Sequence, residues 1–417
     1  MHIGVVIWAL YYSRGGIERF GIDLSAEMIR RGHHVTIFHA EQKSDDASPQ
    51  YPVPPGANCV ALPKKRRSPT MIDETRDRIV ASGVDVLAAL FSWDEVLRFP
   101  VALKGTGIPF LLSEHNAPRI IESRWNDDER RACLEAADRI HILSESYREG
   151  CPGYLNDRIE AIPNPVTKTI RNLPVQQDEP ATKTILAVGR FDDHHKQFSL
   201  LIKAFSSVVA QFPDWRLTLC GDGQDRKSYE QLVASLDLQD RVHMPGMVSD
   251  IDGYYEKSQL FCIPSRFEGC PLVIPEAQCF ALPVVGFAEC SGTNDIVVHE
   301  KNGLLAAEMT AESLAQSLSL LMGDPGLRRR LGLCGREMLV RYDAEAIYGR
   351  WEELLGKAAS AKNDTQLQRI FGKSAEEMTA RKTLLDLFSR PVLFRKKGFF
   401  GKIKSKISAA SVVRKTS

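Results

Sequence analysis

Short apolar runs alternate with amphipathic stretches along most of the chain. "HIGVVIW" near the start is continuously apolar, as a strand buried on both faces requires. After a loop that ends in Gly15 and Gly16, "IERFGIDLSAEMIRRG" sets Ile17, Phe20, Leu24 and Met28 on one helical face, and Gly32 closes that helix. "HHVTIFHA" is the next strand, so the first forty residues predict a strand, helix, strand unit, the opening of a parallel sheet. The runs "NCVAL", "DVLAALF", "IPFLLS" and "RIHIL" continue it, with a charged helical stretch around Glu129 to Ala137 between the last two. This half ends near "IEAIPNPV". Residues 166 to 183 are polar and punctuated by proline, as a linker should be. The alternation then restarts with "TILAVGRF" (strand), "FSLLIKAFSSVVAQF" (helix), "RLTLCG" (strand), "SYEQLVASL" (helix), "QLFCIPS" and "PVVGF" (strands). Two tandem α/β halves of similar length predict two doubly wound, Rossmann-like domains facing across a cleft, although the letters show no repeat. The boundaries expected are 1–167 and 178–343, followed by a tail over 360–417.

Composition narrows the class. With 417 residues, 43% of them hydrophobic, and a net charge of +1, the chain has enough apolar material for two or three cored domains. The opening "MHIGVVIWALYY" has no basic flank or small-residue cleavage site, and no apolar run approaches the roughly 18 residues a bilayer span needs. A cytoplasmic body is therefore expected. Nine cysteines, an odd number with no C-x-x-C pair, fit reduced thiols; Cys133, Cys220, Cys262 and Cys279 lie in apolar surroundings, where packing is the expected role.

Ligands bind outside the carboxyl ends of the strands in such sheets, so the residues immediately after each strand are the candidates for a site. "RFEGCPLVIPEAQ" comes directly after "LFCIPS" and places Glu268 and Glu276 there. Alone, the two acids read equally as a solvated loop residue and as first-turn decoration of a helix starting at Pro275. "VGRFDDHHKQFSLLIKAF" puts Arg190 at a strand end and Lys196 just ahead of a helix, a combination suited to a diphosphate, with Asp192 and Asp193 close enough to make a salt-bridged loop instead. Gly15 and Gly16 precede the first helix, where bare backbone N–H groups can meet an anion or a sugar hydroxyl. "LLSEHN" ends a strand with Ser113, Glu114, His115 and Asn116 at its tip. "DID" at 250 to 252 reads as the cap of the helix "DGYYEKS", so no metal is assigned.

Together, "GGIERF", "GRFDDHHKQFSLLIKAF", "GDG" at 221 to 223, "PSRFEGCPLVIPEA" and "CSGTNDIV…NGLL" resemble the retaining glycosyltransferases of family 4, which have the GT-B fold. The resemblance covers roughly residues 1 to 358 in element order. It implies a hexosyl- or N-acetylhexosaminyltransferase with a nucleotide-sugar donor in the C-terminal half, UDP before GDP, and a lipid-linked or polysaccharide acceptor in the N-terminal half, as in cell-surface glycan synthesis. In that family the position of Glu276 contacts the ribose and that of Glu268 the donor sugar, while Arg190 and Lys196 neutralise the leaving diphosphate. His115 would sit over the sugar from the opposite domain, and backbone groups from His243 to Val248 would read the base. Gly16, Gly221, Asp222, Gly223, Gly269, Cys270, Pro271 and Leu272 complete the implied donor site, and Gly15, Glu114 and Asn116 the acceptor side. No cofactor and no metal are implied. The helix "AEAIYGRWEELLGKAAS", at about 344 to 359, crosses back in the family to brace the first domain. One departure is Lys196-Gln197, where the family has Lys-Gly, in a loop one residue longer than usual.

Alternatives remain open. An epimerase or a disaccharide-forming transferase fits the same fold, and so does a silent sugar-nucleotide binder at a membrane. A nicotinamide enzyme fits less well, because "GDGQDR" lacks the third glycine of its fingerprint. Between Arg390 and Ser417 there are nine Lys or Arg and no acid. Within that stretch Phe399, Ile403 and Ile407 recur every four residues beside Phe400, with Arg395, Lys396 and Lys397 ahead of them, a basic amphipathic pattern suited to an anionic membrane surface. "KKRR" (Lys64, Lys65, Arg66, Arg67) is a second basic cluster. No recognition helix or aromatic platform points to nucleic acid.

Overall fold

The structure, a computed structural model, describes residues 1–12, 15–41, 48–64, 69–91, 96, 98–118, 127–166 and 180–361. Two sheets carry it, and every pairing within them is parallel. The first contains β1 (His2–Ile7), β2 (His34–Ala40), β3 (Ala57–Leu62), β4 (Val86–Phe91), β5 (Phe110–Glu114), β6 (Arg139–Ile142) and β7 (Ile159–Ala161), in the order β3-β2-β1-β4-β5-β6-β7. The second contains β8 (Lys183–Val188), β9 (Trp215–Cys220), β10 (Val242–Gly246), β11 (Leu260–Cys262), β12 (Val284–Phe287) and β13 (Gly303–Ala306), in the order β10-β9-β8-β11-β12-β13. Strand order reverses between β1 and β4 in one sheet and between β8 and β11 in the other. Chains leaving neighbouring strands at such a point turn to opposite faces and leave a crevice.

Helices cover both faces of each sheet, which explains why the strands read as uninterrupted apolar runs. Val5, Ile37, Val86 and Leu111 in the first sheet and Ile185, Leu217, Phe261 and Val285 in the second are inaccessible or nearly so. The first helix, Gly16–Arg30, buries Phe20, Leu24 and Met28 as its spacing predicts, and Ile17 is half-buried at the rim. Helix Ala344–Ala359 follows the second sheet in sequence but packs on the first, where Ile347, Trp351, Leu354 and Leu355 join Ile3, Val5 and Val86 in one cluster. Asp343 caps it by accepting from Ala346 N at 3.0 Å, and Arg31 pins it from the first helix through Glu345 (2.5 Å) and Glu352 (3.0 Å).

Several elements differ from the sequence reading. β7, β10 and β13 are strands of three to five residues, too short to show a period, and the helices Pro69–Ala81, Ala311–Gly323 and Pro325–Glu337 were not predicted either. The predicted helix "FSLLIKAFSSVVAQF" stops at Val208. The linker is shorter than 166 to 183, because Val166 forms a bridge with Asp343 and Lys183 opens β8. Pro275 is not the first residue of its helix: the helix runs Val273–Cys279, with proline still in the first turn, where its missing N–H costs nothing. All nine cysteines are free thiols.

Candidate functional site

The turn after β8 is shaped by the turn after β9. Gly189 N donates to Cys220 O (3.0 Å) and Phe191 N to Asp222 O (2.9 Å), so the Arg190 turn lies directly on "GDG". Gly221 has φ +139°, and a Cβ there would stand 1.9 Å from Gly189 O; one on Gly223 would stand 2.4 Å from Phe191 O. These glycines serve close backbone approach. Arg190 projects, two-thirds exposed, with Asp192 at 3.4 Å, and Asp192 also accepts from His195 Nδ1 at 2.9 Å. Asp193 turns inward instead and accepts from Ser199 N (2.9 Å), Ser199 Oγ (2.6 Å) and the Tyr229 hydroxyl (3.1 Å). Between the short helix Asp193–Lys196 and the helix Phe198–Val208, Gln197 takes a left-handed conformation (φ +48°, ψ +39°). That turn aims Lys196 back over the strand ends, and its Nζ donates to Glu268 Oε1 at 2.5 Å.

The segment after β11 supplies the opposite wall. Arg266 N donates to His195 O (2.8 Å), which joins the two turns at the crevice of the second sheet. Glu268 and Glu276 are both more than nine-tenths buried. Buried carboxylates need partners, and Glu276 has two: the Tyr255 hydroxyl donates to Oε2 (3.2 Å), and Arg19 from the first half of the chain donates to Oε1 (2.9 Å). Arg19 thus crosses the cleft.

From the first half, His115 and Asn116 reach the cleft at the end of β5. Burial pushes the His115 imidazole down to about 3, so the ring is neutral. Its Nε2 lies 2.8 Å from Ser113 Oγ, Ser113 Oγ lies 2.8 Å from His141 Nδ1, and His141 Nε2 lies 2.7 Å from Ile162 O. The loop at Gly269 is clamped by the same half: the Tyr147 hydroxyl donates to Gly269 O (2.5 Å) and Asn164 Nδ2 to Cys270 O (3.1 Å). A Cβ on Gly269 would come within 2.5 Å of His115 O, so this glycine lets the halves meet.

The resulting cleft is open to solvent and holds about 1300 Å³ of empty space, its solvent-filled mouth included. It brings together Gly15, Gly16, His115, Asn116, Arg190, Lys196, Glu268, Gly269, Cys270, Pro271, Leu272 and Glu276. The other predicted residues stand elsewhere. Glu114 forms a buried ion pair with Arg130 (2.9 Å to each oxygen) and is not among the residues lining the cleft. Gly221, Asp222 and Gly223 lie beneath the Arg190 turn rather than on the cleft wall, His243 is exposed on β10, and Val248 packs against the cluster around Tyr255. Gly15 keeps its place on the wall, but its N–H is taken by Glu18 at 3.0 Å. "DID" caps as expected, with Asp250 accepting from Gly253 N at 3.2 Å. Sequence reasoning missed Arg19, Asn164, His195 and Phe267 on the wall and Tyr255 behind it. Arg19 was inside the quoted "GGIERF", yet nothing in a single sequence says that its partner is 257 positions away.

Of the basic residues, Lys64 stacks its ammonium 3.6 Å from the centre of the Tyr12 ring. Lys65, Arg66, Arg67, Arg395, Lys396, Lys397, Phe399, Phe400, Ile403 and Ile407 lie outside the described residues. Among the described residues no helix is long and apolar enough to cross a membrane, and no three His, Cys, Asp or Glu converge as metal ligands would.

Two parallel α/β sheets set paired cations and paired carboxylates against a histidine across a cleft, an arrangement suited to an activated sugar. Family profiles agree: glycosyltransferase family 4 matches residues 14–169 and glycosyl transferases group 1 matches residues 170–338. The chain belongs to this family of glycosyltransferases, and its fold is GT-B. It is similar to an uncharacterized glycosyltransferase of Haemophilus influenzae, 28% identical over 350 residues that span 82% of this chain and 97% of that one. A Campylobacter jejuni alpha-1,4-N-acetyl-D-galactosaminyltransferase named for a GalNAc-containing PP-undecaprenol acceptor is 23% identical over 258 residues, 62% of this chain and 70% of its own. Among solved structures, Anabaena HepE in complex with UDP superposes with a TM-score of 0.70 at 18% identity, covering 85% of this chain and 100% of HepE.

Proposed function

We propose that this glycosyltransferase moves a hexose or N-acetylhexosamine from a UDP-sugar to a lipid-linked glycan, with retention of anomeric configuration and without a metal. The observation that carries the reading is the placement of Arg190, Lys196, Glu268 and Glu276 at the crevice of the second sheet, opposite His115. The carboxylates are already engaged, Glu268 by Lys196 and Glu276 by Arg19 and Tyr255, so donor binding exchanges existing partners for ribose and sugar hydroxyls. Cleaving the sugar–phosphate bond gathers negative charge on the diphosphate. Arg190 and Lys196 stand at the strand ends and would stabilise that charge as it grows, which lowers the barrier. As the resemblance implies, attack from the face the diphosphate leaves, with that phosphate taking the acceptor proton, gives retention. UDP is favoured because a structurally similar protein has been solved with it, and a lipid diphosphate acceptor because a relative's name specifies one. The basic tail would hold the enzyme at the cytoplasmic face of a membrane, where such an acceptor resides.

The test is a thermal-shift panel of UDP-, GDP- and ADP-sugars followed by product NMR. A cognate donor at about 100 times its Kd adds roughly 2.7 kcal/mol of stability. A shift with the UDP-sugar and an axial-to-axial or equatorial-to-equatorial product is expected. No shift with any nucleotide-sugar, or an inverted product, overturns the proposal.

A further inference from the structure

His115, Ser113 and His141 form a chain of hydrogen bonds whose direction can be read from one end. Ile162 O is a carbonyl and can only accept, so His141 Nε2, 2.7 Å away, carries a proton. His141 is fully buried, and burial, reinforced by the neighbouring His115, holds its pKa far below the ordinary value. It is neutral, its Nδ1 is a bare lone pair, and Ser113 Oγ at 2.8 Å donates to it. Ser113 has then spent its only proton. Its contact with His115 Nε2, also 2.8 Å, requires that the histidine donate, which leaves the His115 lone pair on Nδ1. His115 lines the cleft, and no described residue is hydrogen-bonded to that Nδ1.

We propose that His141 and Ser113 are positioning residues that lock His115 in the Nε2–H tautomer, so that the cleft offers an acceptor to a sugar hydroxyl and disfavours a carboxylate at the same place. The inference deepens the nucleotide-sugar reading above and names a specificity: neutral sugars over uronic acids at the His115 position. Geometry supports a fixed ring. His141 packs on Trp351 of the crossing helix with ring centroids 4.3 Å apart, and His115 packs on Phe20 of the first helix at 5.2 Å. Neither imidazole can rotate without disturbing an aromatic neighbour, so the tautomer is set by the chain of bonds and not by solvent.

The experiment uses the full-length protein labelled with 15N-histidine, whose imidazole nitrogens report directly which one is protonated. His115 and His141 should both read as Nε2–H at neutral pH without any ligand. His141→Phe keeps a ring against Trp351 but removes the acceptor, so Ser113 is free to donate to His115 Nε2 and the His115 proton should move to Nδ1. In the same variant kcat/KM with a neutral UDP-sugar should fall about tenfold, the equivalent of one hydrogen bond, while the Kd for UDP, which lacks the sugar, stays put. Ser113→Thr should preserve the wild-type tautomer and rate; Ser113→Ala should lose both. An Nδ1–H signal for His115 in the wild type, or a His115 tautomer unchanged in His141→Phe and Ser113→Ala, overturns the inference. Because the spectrum needs no substrate, a failed donor assignment leaves this test standing.

Discussion

At the scale of single residues, the partners of the two glutamates shape expectations for mutants. Arg19 holds Glu276 from across the cleft with its own side chain one-third exposed, so solvent screening keeps the pair weak, within about 1 kcal/mol. If the ribose must take Glu276 from Arg19, Arg19→Ala should tighten UDP binding by up to about fivefold in a calorimetric titration; an unchanged or weakened Kd would show that Arg19 itself grips the nucleotide. Arg190→Ala and Lys196→Ala should act on turnover instead, each lowering kcat by about 10² to 10³ as for other preorganised charge stabilisers, with donor affinity less affected. Near-normal turnover in both would displace the diphosphate from these cations. Acid should also weaken the fold. Unfolded, His115 and His141 titrate near 6.5; folded, His115 stays neutral down to about 3 and His141 is likewise depressed. Below about pH 6.5 the unfolded chain therefore binds protons the native chain refuses, so Tm should fall steadily from pH 7 to pH 5, and His141→Phe should shallow that slope. The residues legible beforehand were those whose type and strand-end position announce them: Arg190, Lys196, His115, Glu268 and Glu276. Arg19 and Tyr255 were not, because their role is a distance in space. Glu114 shows the limit of that signal, because the same strand-end position serves an internal ion pair with Arg130.

At the scale of elements, long apolar runs were legible and short ones were not. β1 and β9 have six residues each and read as strands at once, whereas β7 and β11 have three, and only the quoted flanks of β11 betrayed it. The turn at Gln197 is the sharpest case of an element with the wrong residue for its backbone. A left-handed conformation costs a side-chain-bearing residue about 1 to 2 kcal/mol, and the buried Gln197 Oε1 has no partner among the described residues. This is the place where the resemblance noted in the sequence has Lys-Gly and this chain has Lys196-Gln197. Gln197→Gly removes both penalties and returns some of the gain as unfolded-state entropy, so a net stabilisation of about 1 kcal/mol is expected, a few degrees in Tm. A lower Tm would mean that the glutamine side chain packs better than its stranded oxygen implies. The substitution also tests Lys196, whose aim depends on that turn.

At the scale of the whole molecule, the basic pattern of the tail is expected to hold the protein at an anionic membrane surface, with the "KKRR" cluster as the next candidate for that contact. Stopping the chain near residue 385 should leave donor binding intact, while the shortened protein no longer sediments with anionic vesicles; raised salt should release the full-length protein partway. Equal sedimentation of the two forms would reassign the contact to "KKRR". The two-sheet architecture was legible because alternation broke off and resumed around a polar, proline-rich interval. Which half the helix Ala344–Ala359 covers could be taken only from resemblance, since amphipathicity names a face and not its partner. That helix has a consequence for biogenesis. β1 to β7 leave the ribosome first, yet the face formed by Ile3, Val5 and Val86 waits for Trp351, Leu354 and Leu355. At about 5 to 20 residues per second the interval is on the order of 10 to 40 seconds. By its end the second sheet has all its strands, while the first-made half still carries an open apolar groove that a chaperone could occupy. The half synthesised first is thus the half completed last.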